Sequence, residues 1–157
     1  MQAVDKQGAG SVALKGKYYE LLAATTIEDN TAVTGTPQLR LDKFTLATIL
    51  LTISAKTADA STTLDIYLQY SPDLGTTWDD IAHFTQMTDA VLDDGTYVMF
   101  LNALGGSSEA DRATRAQTLG ANTALAIPWC DRMRVKCVGA NISGSDTITV
   151  KVEAYMQ

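Results

Sequence analysis

The amino-acid sequence predicts an all-β fold: a β-sandwich or jelly roll of about eight strands, with an N-terminal arm and one long loop or short helix. Apolar and polar residues alternate with a period of two in several separate segments, as in strands that bury one face. Turn signals rich in Gly, Asp and Asn separate these segments, and no segment has the period of a convincing long helix.

The chain begins with residues 1–16, which are rich in Gly, Ala, Lys and Gln and show no period. They are predicted to form an arm that could lie across a neighbouring subunit in an assembly. Residues 17–157 are predicted to form one domain, because a chain of 157 residues with 46% hydrophobic content suits a single core.

The strongest strand candidate is Phe44–Thr57, in which both faces carry apolar residues. This pattern is typical of a central strand, or of a strand whose outer face meets another subunit. The other predicted strands are Lys17–Thr26, Thr63–Tyr70, Thr76–Phe84, Thr96–Leu101, Arg132–Val138 and Thr147–Met156.

Two connections in the second half of the chain differ in length. Asn141–Asp146 is short and polar and is interpreted as a hairpin loop. Asn102–Ala124 is long for a connection and is either a loop or a short helix over Glu109–Thr118. Together with the arm, this long segment is the predicted region of contact with a partner.

A short motif, Ser71-x-Asp73-x-Gly75-x-Thr77-Trp78, lies between two predicted strands and resembles the Asp-box of sialidases. The Asp side chain of such a turn can accept backbone N–H bonds, and the Gly supplies a positive φ. In sialidases the box recurs once per propeller blade, away from the catalytic site, whereas here it occurs once. The resemblance implies a stiff structural hairpin and no catalytic residue.

Neither catalysis nor metal binding is predicted. His83 is the only histidine, and the sequence has no nucleophile elbow, P-loop or zinc-protease motif. Asp73, Asp79 and Asp80 lack the spacing of an EF-hand loop and are interpreted as solvated turn carboxylates. We therefore expect a protein that is not an enzyme and holds no cofactor.

Charge and cysteine usage restrict the partners and the compartment. The net charge of −6 and the absence of a long basic stripe argue against a nucleic-acid partner. No secretory signal and no run of about 18 apolar residues is present, which predicts synthesis in a cytoplasm and no membrane partner. Cys130 and Cys137 are too far apart on one extended segment for a disulfide and are predicted to be free thiols.

Three cations alternate along one predicted strand. Arg132, Arg134 and Lys136 share one face of this strand, and apolar residues occupy the other. A row of cations on an acidic protein needs anionic neighbours. Cross-strand acids such as Glu153 could supply them within the chain, and an acidic patch on a partner subunit could supply them in an assembly.

The layout as a whole resembles small structural proteins of tailed bacteriophages, in particular capsid-decorating (cement) proteins. The resemblance is carried by the arm, by the Tyr70-Ser71-x-Asp73-x-Gly75-x-x-Trp78 hairpin and by the final strands RMRVK and ITVKVEA. It implies a non-enzymatic virion protein, made in the host cytoplasm. Such a protein would bind the major capsid protein on the outside of an icosahedral shell, often as a homotrimer.

Two other functions fit the same layout. One is a carbohydrate-binding or host-binding β-sandwich module, for which Tyr67, Trp78, Tyr97 and Trp129 are the candidate aromatic residues. The other is a tail or head-completion subunit, which keeps the virion role but changes the place of assembly.

Overall fold

The computed structural model describes residues 16–41, 43–84, 86–88, 95–102, 123–124 and 132–157. Within these ranges all regular secondary structure is β-strand, so the predicted all-β class is confirmed. The eleven strands of the described ranges are β1 (Lys17–Ile27), β2 (Val33–Thr34), β3 (Gln38–Leu39), β4 (Leu46–Thr57), β5 (Thr63–Ser71), β6 (Asp79–His83), β7 (Met87–Thr88), β8 (Gly95–Asn102), β9 (Thr123–Ala124), β10 (Arg132–Ala140) and β11 (Thr147–Met156).

Seven of these strands are the predicted ones, with ends shifted by a few residues, and the other four are only two residues long. The largest shift is in β6, which begins at Asp79 rather than Thr76 because the preceding residues belong to the turn. The predicted arm, residues 1–16, lies outside the described residues except for Gly16. Most of the predicted segment 102–124, including the candidate helix, also lies outside them.

The strands form two antiparallel sheets. The four-stranded sheet has the order β1-β11-β4-β8, so β4 has the central position that its two apolar faces predict. The seven-stranded sheet has the order β2-β10-β5-β6-β9, with β3 pairing β10 and β7 pairing β5. The two sheets bury their inner faces in one hydrophobic cluster, which is the arrangement of a β-sandwich.

The segment 141–146 is not the hairpin loop that its composition indicates. It joins β10, which pairs with β5, to β11, which pairs with β1 and β4. The chain therefore crosses here from one sheet to the other. Buried Thr62 stabilises the crossing, because its hydroxyl lies 3.2 Å from an Asp146 carboxylate oxygen, which also accepts the Ser143 backbone N–H at 3.3 Å.

The core is built from alternate residues of the long strands. Burial of one such aliphatic side chain stabilises the fold by about 1.5–3 kcal/mol. Ile148, Val150 and Val152 of β11 are fully buried, and the residues between them point outward. The matching buried residues of the other long strands are Ala47, Ile49, Leu51 and Ile53 of β4, Leu64, Ile66 and Leu68 of β5, and Met133, Val135 and Cys137 of β10.

Cys137 is a free thiol in the middle of this core. Burial raises the pKa of its thiol to about 12, because the thiolate would lose its hydration. Cys130, the other predicted free thiol, lies outside the described residues.

We predict that Cys137 resists thiol reagents while the protein is folded. In a Cys130→Ser variant, reaction with DTNB at neutral pH should be limited by opening of the fold, because the reactive thiolate is both buried and scarce. The same variant in concentrated guanidinium chloride should react at once with one equivalent. Full reaction of the native variant within the mixing time would contradict the buried position of Cys137.

Candidate functional site

The turn between β5 and β6 is a closed network of hydrogen bonds around one carboxylate. Asp73 Oδ1 accepts the backbone N–H of Thr77 at 2.7 Å, and Asp73 Oδ2 accepts the Thr77 hydroxyl at 2.8 Å. Ser71 Oγ donates to Asp73 Oδ1 at 3.0 Å and accepts the backbone N–H of Gly75 at 2.6 Å. Each polar residue of the motif therefore has a role in holding the turn.

Two residues at the tip adopt the left-handed backbone region. Gly75 has a φ of 99°, and Leu74 has a φ of 59° and an exposed side chain. A Cβ at Gly75 would lie only 2.9 Å from Nη1 of Arg132, so the missing side chain also makes room for that guanidinium. Trp78 closes the turn by donating from Nε1 to the Gly75 carbonyl at 3.2 Å.

The three predicted cations lie on the outer face of the seven-stranded sheet, beside this turn. The register places Arg132 opposite Ser71, Arg134 opposite Gln69 and Lys136 opposite Tyr67. The hairpin motif and the row of cations, which are some 60 residues apart in the sequence, therefore form one surface.

Arg134 is the centre of this surface. Its Nε donates to Gln69 Oε1 at 2.8 Å, and Gln69 Nε2 donates to Asp80 Oδ1 at 2.7 Å. Its guanidinium carbon lies 4.2 Å from the centroid of the Trp78 ring, which adds a cation–π contact. Partial burial lowers the pKa of Arg134, and the nearby Asp80 carboxylate opposes that shift.

The prediction that Glu153 could neutralise these cations is wrong. Glu153 lies in β11 of the four-stranded sheet, where it pairs with Lys151 and accepts a hydrogen bond from Tyr18. The acid near Arg134 is Asp80 of β6. Gln69 links the two, because it accepts a hydrogen bond from Arg134 and donates one to Asp80. The error arises because the chain changes sheets between β10 and β11.

An aromatic pair continues the same outer face. The rings of Tyr67 and His83 stack with centroids 4.1 Å apart, and His83 Nε2 lies 3.0 Å from Asp65 Oδ1. Burial raises the pKa of Tyr67, and the charges of Asp65 and Asp80 raise it further. We call the connected residues Asp65, Tyr67, Gln69, Trp78, Asp80, His83 and Arg134 the polar network.

The polar network occupies two of the aromatic residues considered for glycan binding. Tyr67 is stacked on His83, and Trp78 lies against Arg134. Tyr97 packs against the core, and Trp129 lies outside the described residues. The four aromatics therefore do not form a common exposed platform within the described part of the chain.

The outer face of the four-stranded sheet carries one charged cluster, in which Lys151 pairs with Glu20 and Glu153. Beside this cluster it exposes five large apolar side chains, with 78% of Phe100 and 50% of Val98 accessible to solvent. We call this surface the apolar face and define it by Tyr18, Leu46, Val98, Phe100 and Tyr155.

The register aligns part of the apolar face in one row across the sheet. Tyr18 lies opposite Tyr155, Tyr155 opposite Thr48, and Thr48 opposite Phe100. A groove of about 310 Å³ beside this row is lined by Leu46, Ala47, Thr48, Phe100, Leu101, Tyr155 and Gln157. Isolated apolar residues are common on protein surfaces, but several large exposed side chains that lie together on one sheet face are typical of an interaction site.

The sequence interpretation identified only the β4 part of this face. The missed signal is in β8, where Thr96, Val98 and Phe100 form one face and Tyr97, Met99 and Leu101 the other. Both faces are largely apolar, and no residue of Gly95–Asn102 is charged. Among the strands that the structure describes, β8 is the last of its sheet, and such a strand is uncommon at an edge.

Within the described ranges, His, Cys, Asp and Glu side chains do not gather in groups of three or more that could hold a metal ion. The same ranges contain no helix long and apolar enough to cross a membrane. The sequence matches no protein-family model, and its comparison with curated proteins yields no significant match.

We predict that the Asp73 carboxylate makes the stability of the hairpin dependent on pH. The Thr77 backbone N–H is the main cause that lowers the pKa of Asp73 below its ordinary value of 3.8. Its contribution to stability is therefore complete above about pH 3.8 and is lost as the pH falls through the lower folded-state value. Asp73→Asn should lower the melting temperature at neutral pH, and the difference from wild type should shrink below about pH 3.8.

Circular dichroism melts between about pH 7 and about pH 2 measure this difference. Glu28→Gln, which removes an exposed carboxylate outside the turn, controls at neutral pH for the loss of one negative charge. An Asp73→Asn difference of constant size down to the acid end would show that the charge of Asp73 has no part in the turn.

We also predict that Arg134 contributes more to stability than Lys136 does. Arg134→Ala removes a hydrogen bond to nearly buried Gln69 and the contact with Trp78, and should cost about 1–3 kcal/mol. Lys136→Ala on the same face is the matched control, because its ammonium lies 6.0 Å from the Tyr67 ring centroid, and it should cost about 0.5 kcal/mol or less. Urea unfolding measures both, and equal losses would contradict the central position of Arg134.

Proposed function

We propose that this chain is a virion structural protein, a capsid-decorating subunit that binds the outer surface of a shell of major capsid protein through its apolar face. The observation that carries the proposal is the row of exposed apolar side chains on one sheet of a β-sandwich. A surface of this kind loses contact with water when a partner covers it, at about 25 cal/mol for each Å² of apolar area.

A capsid-decorating protein needs a rigid surface that binds the shell, and a rigid binding module provides such a surface. The core holds the exposed row on the four strands of one sheet, paired side by side, so the surface is already formed before binding. A protein that binds the assembled shell and not its free subunits adds its binding free energy to the stability of the shell. No chemical step is part of this role, and the protein is proposed to be non-enzymatic.

The polar network supports an outward orientation for the seven-stranded sheet. Its side chains largely satisfy one another, as the bonds from Arg134 to Gln69 and from Gln69 to Asp80 illustrate. Burying such a network under a partner would remove hydration without offering many new hydrogen bonds. Arg132, Arg134 and Lys136 lie on this outward sheet, opposite the apolar face, and we propose that they contact an acidic patch on a neighbouring subunit rather than the shell surface under the apolar face.

The finer parts of the proposal concern topology and copy number. If β2 and β3 count as one broken strand and β7 and β9 are left aside, the sheets have the orders 1-8-3-6 and 2-7-4-5. This order supports a jelly roll, in which eight strands form two four-stranded sheets. The phage resemblance also implies that the protein is a homotrimer bound to the shell of the virion. A subunit of the tail or of the head-completion complex is the alternative virion role.

A second candidate function is carbohydrate binding by the apolar face. Tyr18, Phe100 and Tyr155 are exposed aromatic side chains in one row, and glycan modules use such rows as stacking surfaces. The candidate residues differ from Tyr67, Trp78, Tyr97 and Trp129, which the sequence suggests for this function.

We predict that the purified protein cosediments with empty shells of the phage that encodes it, and that the apolar face is required. Phe100→Ser should weaken binding at least tenfold, because it removes the most exposed side chain of that face. Leu74→Ser is the matched control: it removes an exposed apolar side chain at the β5–β6 turn and should leave binding unchanged.

Shell melting gives a second readout, since a bound decorating protein should raise the temperature at which the shells disrupt. Failure of the wild-type protein to cosediment at micromolar concentration would refute the proposal. Retardation in gels that contain polysaccharide, abolished by Tyr155→Ser but without shell binding, would favour the carbohydrate function instead.

A further inference from the structure

The groove of the apolar face lies at the end of the four-stranded sheet where the N-terminal arm is attached. β1 and β4 begin at this end of the sheet, and β8 and β11 finish there. Lys17, the first residue of β1, lies opposite Met156, which in turn lies opposite Ala47 in the wall of the groove. At about 4.8 Å between neighbouring strands, β1 is about 10 Å from β4. Residues 1–15 are therefore tethered beside the groove.

Tyr155 connects the beginning of the arm to the groove. Its side chain lines the groove, and its ring lies directly over Gly16, where a Cβ atom would overlap the ring. Glycine at this position lets the ring rest against the backbone. The side of Gly16 that faces the ring is the side on which Tyr18, two residues later, is exposed. The chain thus enters β1 with one side turned toward the wall of the groove.

The residues before Gly16 carry apolar side chains in the same alternation. In an extended chain, side chains two residues apart lie on the same side. Val12 and Leu14 share the alternation of Gly16 and Tyr18, whereas Lys15 belongs to the opposite set. The groove of about 310 Å³ is at the small end of the range of binding pockets, so it suits a few side chains rather than a folded partner.

We propose that residues 12–14 of the arm dock in the groove of their own chain, with Val12 and Leu14 against the apolar side chains of Leu46 and Phe100. The four residues from Gly16 to Val12 span about 13 Å when extended, enough to cross from β1 to β4. Tethering gives the segment an effective concentration on the order of millimolar, so weak apolar contacts suffice to hold it. We call residues 12–14 the cap.

The cap has a consequence that rests on the proposed function. A shell that binds the apolar face must displace the cap, so the cap lowers the affinity for the shell. In return it shields part of an apolar surface that would otherwise promote association with other proteins. The docking uses no contact between copies and is compatible with the proposed homotrimer. It differs from the sequence expectation, in which the arm lies across a neighbouring subunit.

The test is a disulfide between the cap and the groove, made in the Cys130→Ser chain so that buried Cys137 is the only other thiol. Val12→Cys is paired with Thr48→Cys in the groove or, as the matched control, with Thr52→Cys on the same face of β4, about 13 Å further along. A disulfide needs Cα atoms within about 7 Å. Under mild oxidation, the Thr48 pair should close within one chain at least about ten times faster than the Thr52 pair. Intact mass and non-reducing electrophoresis measure both rates.

Circular dichroism verifies that the variants are folded, and Leu14→Cys with Leu46→Cys is the second pair should Thr48→Cys not fold. Equal rates for the Thr48 and Thr52 pairs would overturn the inference, because the arm would then move over the face without docking. Links between copies would overturn it as well, since the groove would then hold the arm of a neighbour. If no link forms, the cap is rejected, and residues 103–122 or a separate partner become the occupant to test.

Shell binding separates the cap from the proposed function. Val12→Ser with Leu14→Ser removes the apolar side chains of the cap and should tighten cosedimentation with shells at least about threefold, because the face is then free in more of the molecules. Ala3→Ser with Val4→Ser, earlier in the same arm, is the matched control and should leave binding unchanged. Unchanged binding of the cap variant would reject the competition with the shell. Absence of shell binding by every form of the protein, with the Thr48 link intact, would reject the proposed function alone.

Discussion

The structure depends on the burial of one face of each sheet against the other. In β11 this requirement makes every second residue apolar, and Ile148, Val150 and Val152 are fully buried. Lys151 and Glu153 point outward and form an ion pair. A register slip by one residue would bring both charges into the core, at a cost of several kcal/mol for each ion. The inner pattern therefore decides which side chains remain for the outer faces, and so which contacts the protein can make.

Strand positions were predictable because they depend on local alternation, whereas sheet membership was not. The ends of β5 and β11 agree with the sequence pattern to within a residue. The short polar segment 141–146 has the composition of a hairpin loop, yet it joins two sheets, since β10 pairs with β5 and β11 with β4. That choice depends on contacts between distant parts of the chain, and for this reason the pairing of Glu153 with the cations could not be judged from spacing.

The two sheets bury similar apolar residues on their inner faces, but their outer faces differ in the side chains that they present to solvent. On the seven-stranded sheet, Arg134, Gln69 and Asp80 come from three adjacent strands and satisfy one another across the register. On the four-stranded sheet, Phe100 lies opposite Thr48, and its side chain has no polar group to bond to its neighbours. Its ring therefore stays in contact with water. The sequence predicted the cations, because charges at alternate positions are visible. It did not predict the exposed row, because apolar residues on both faces of β8 equally fit a buried strand.

The Asp-box-like turn has a role beyond its own backbone. Gly75 leaves space that the Arg132 guanidinium occupies, and Trp78 supplies the ring against which Arg134 lies. The motif residues thus help to position two cations, because Trp78 contacts one guanidinium and Gly75 leaves room for the other. The turn Ser71–Trp78 therefore orders part of a charged surface whose cations come from β10.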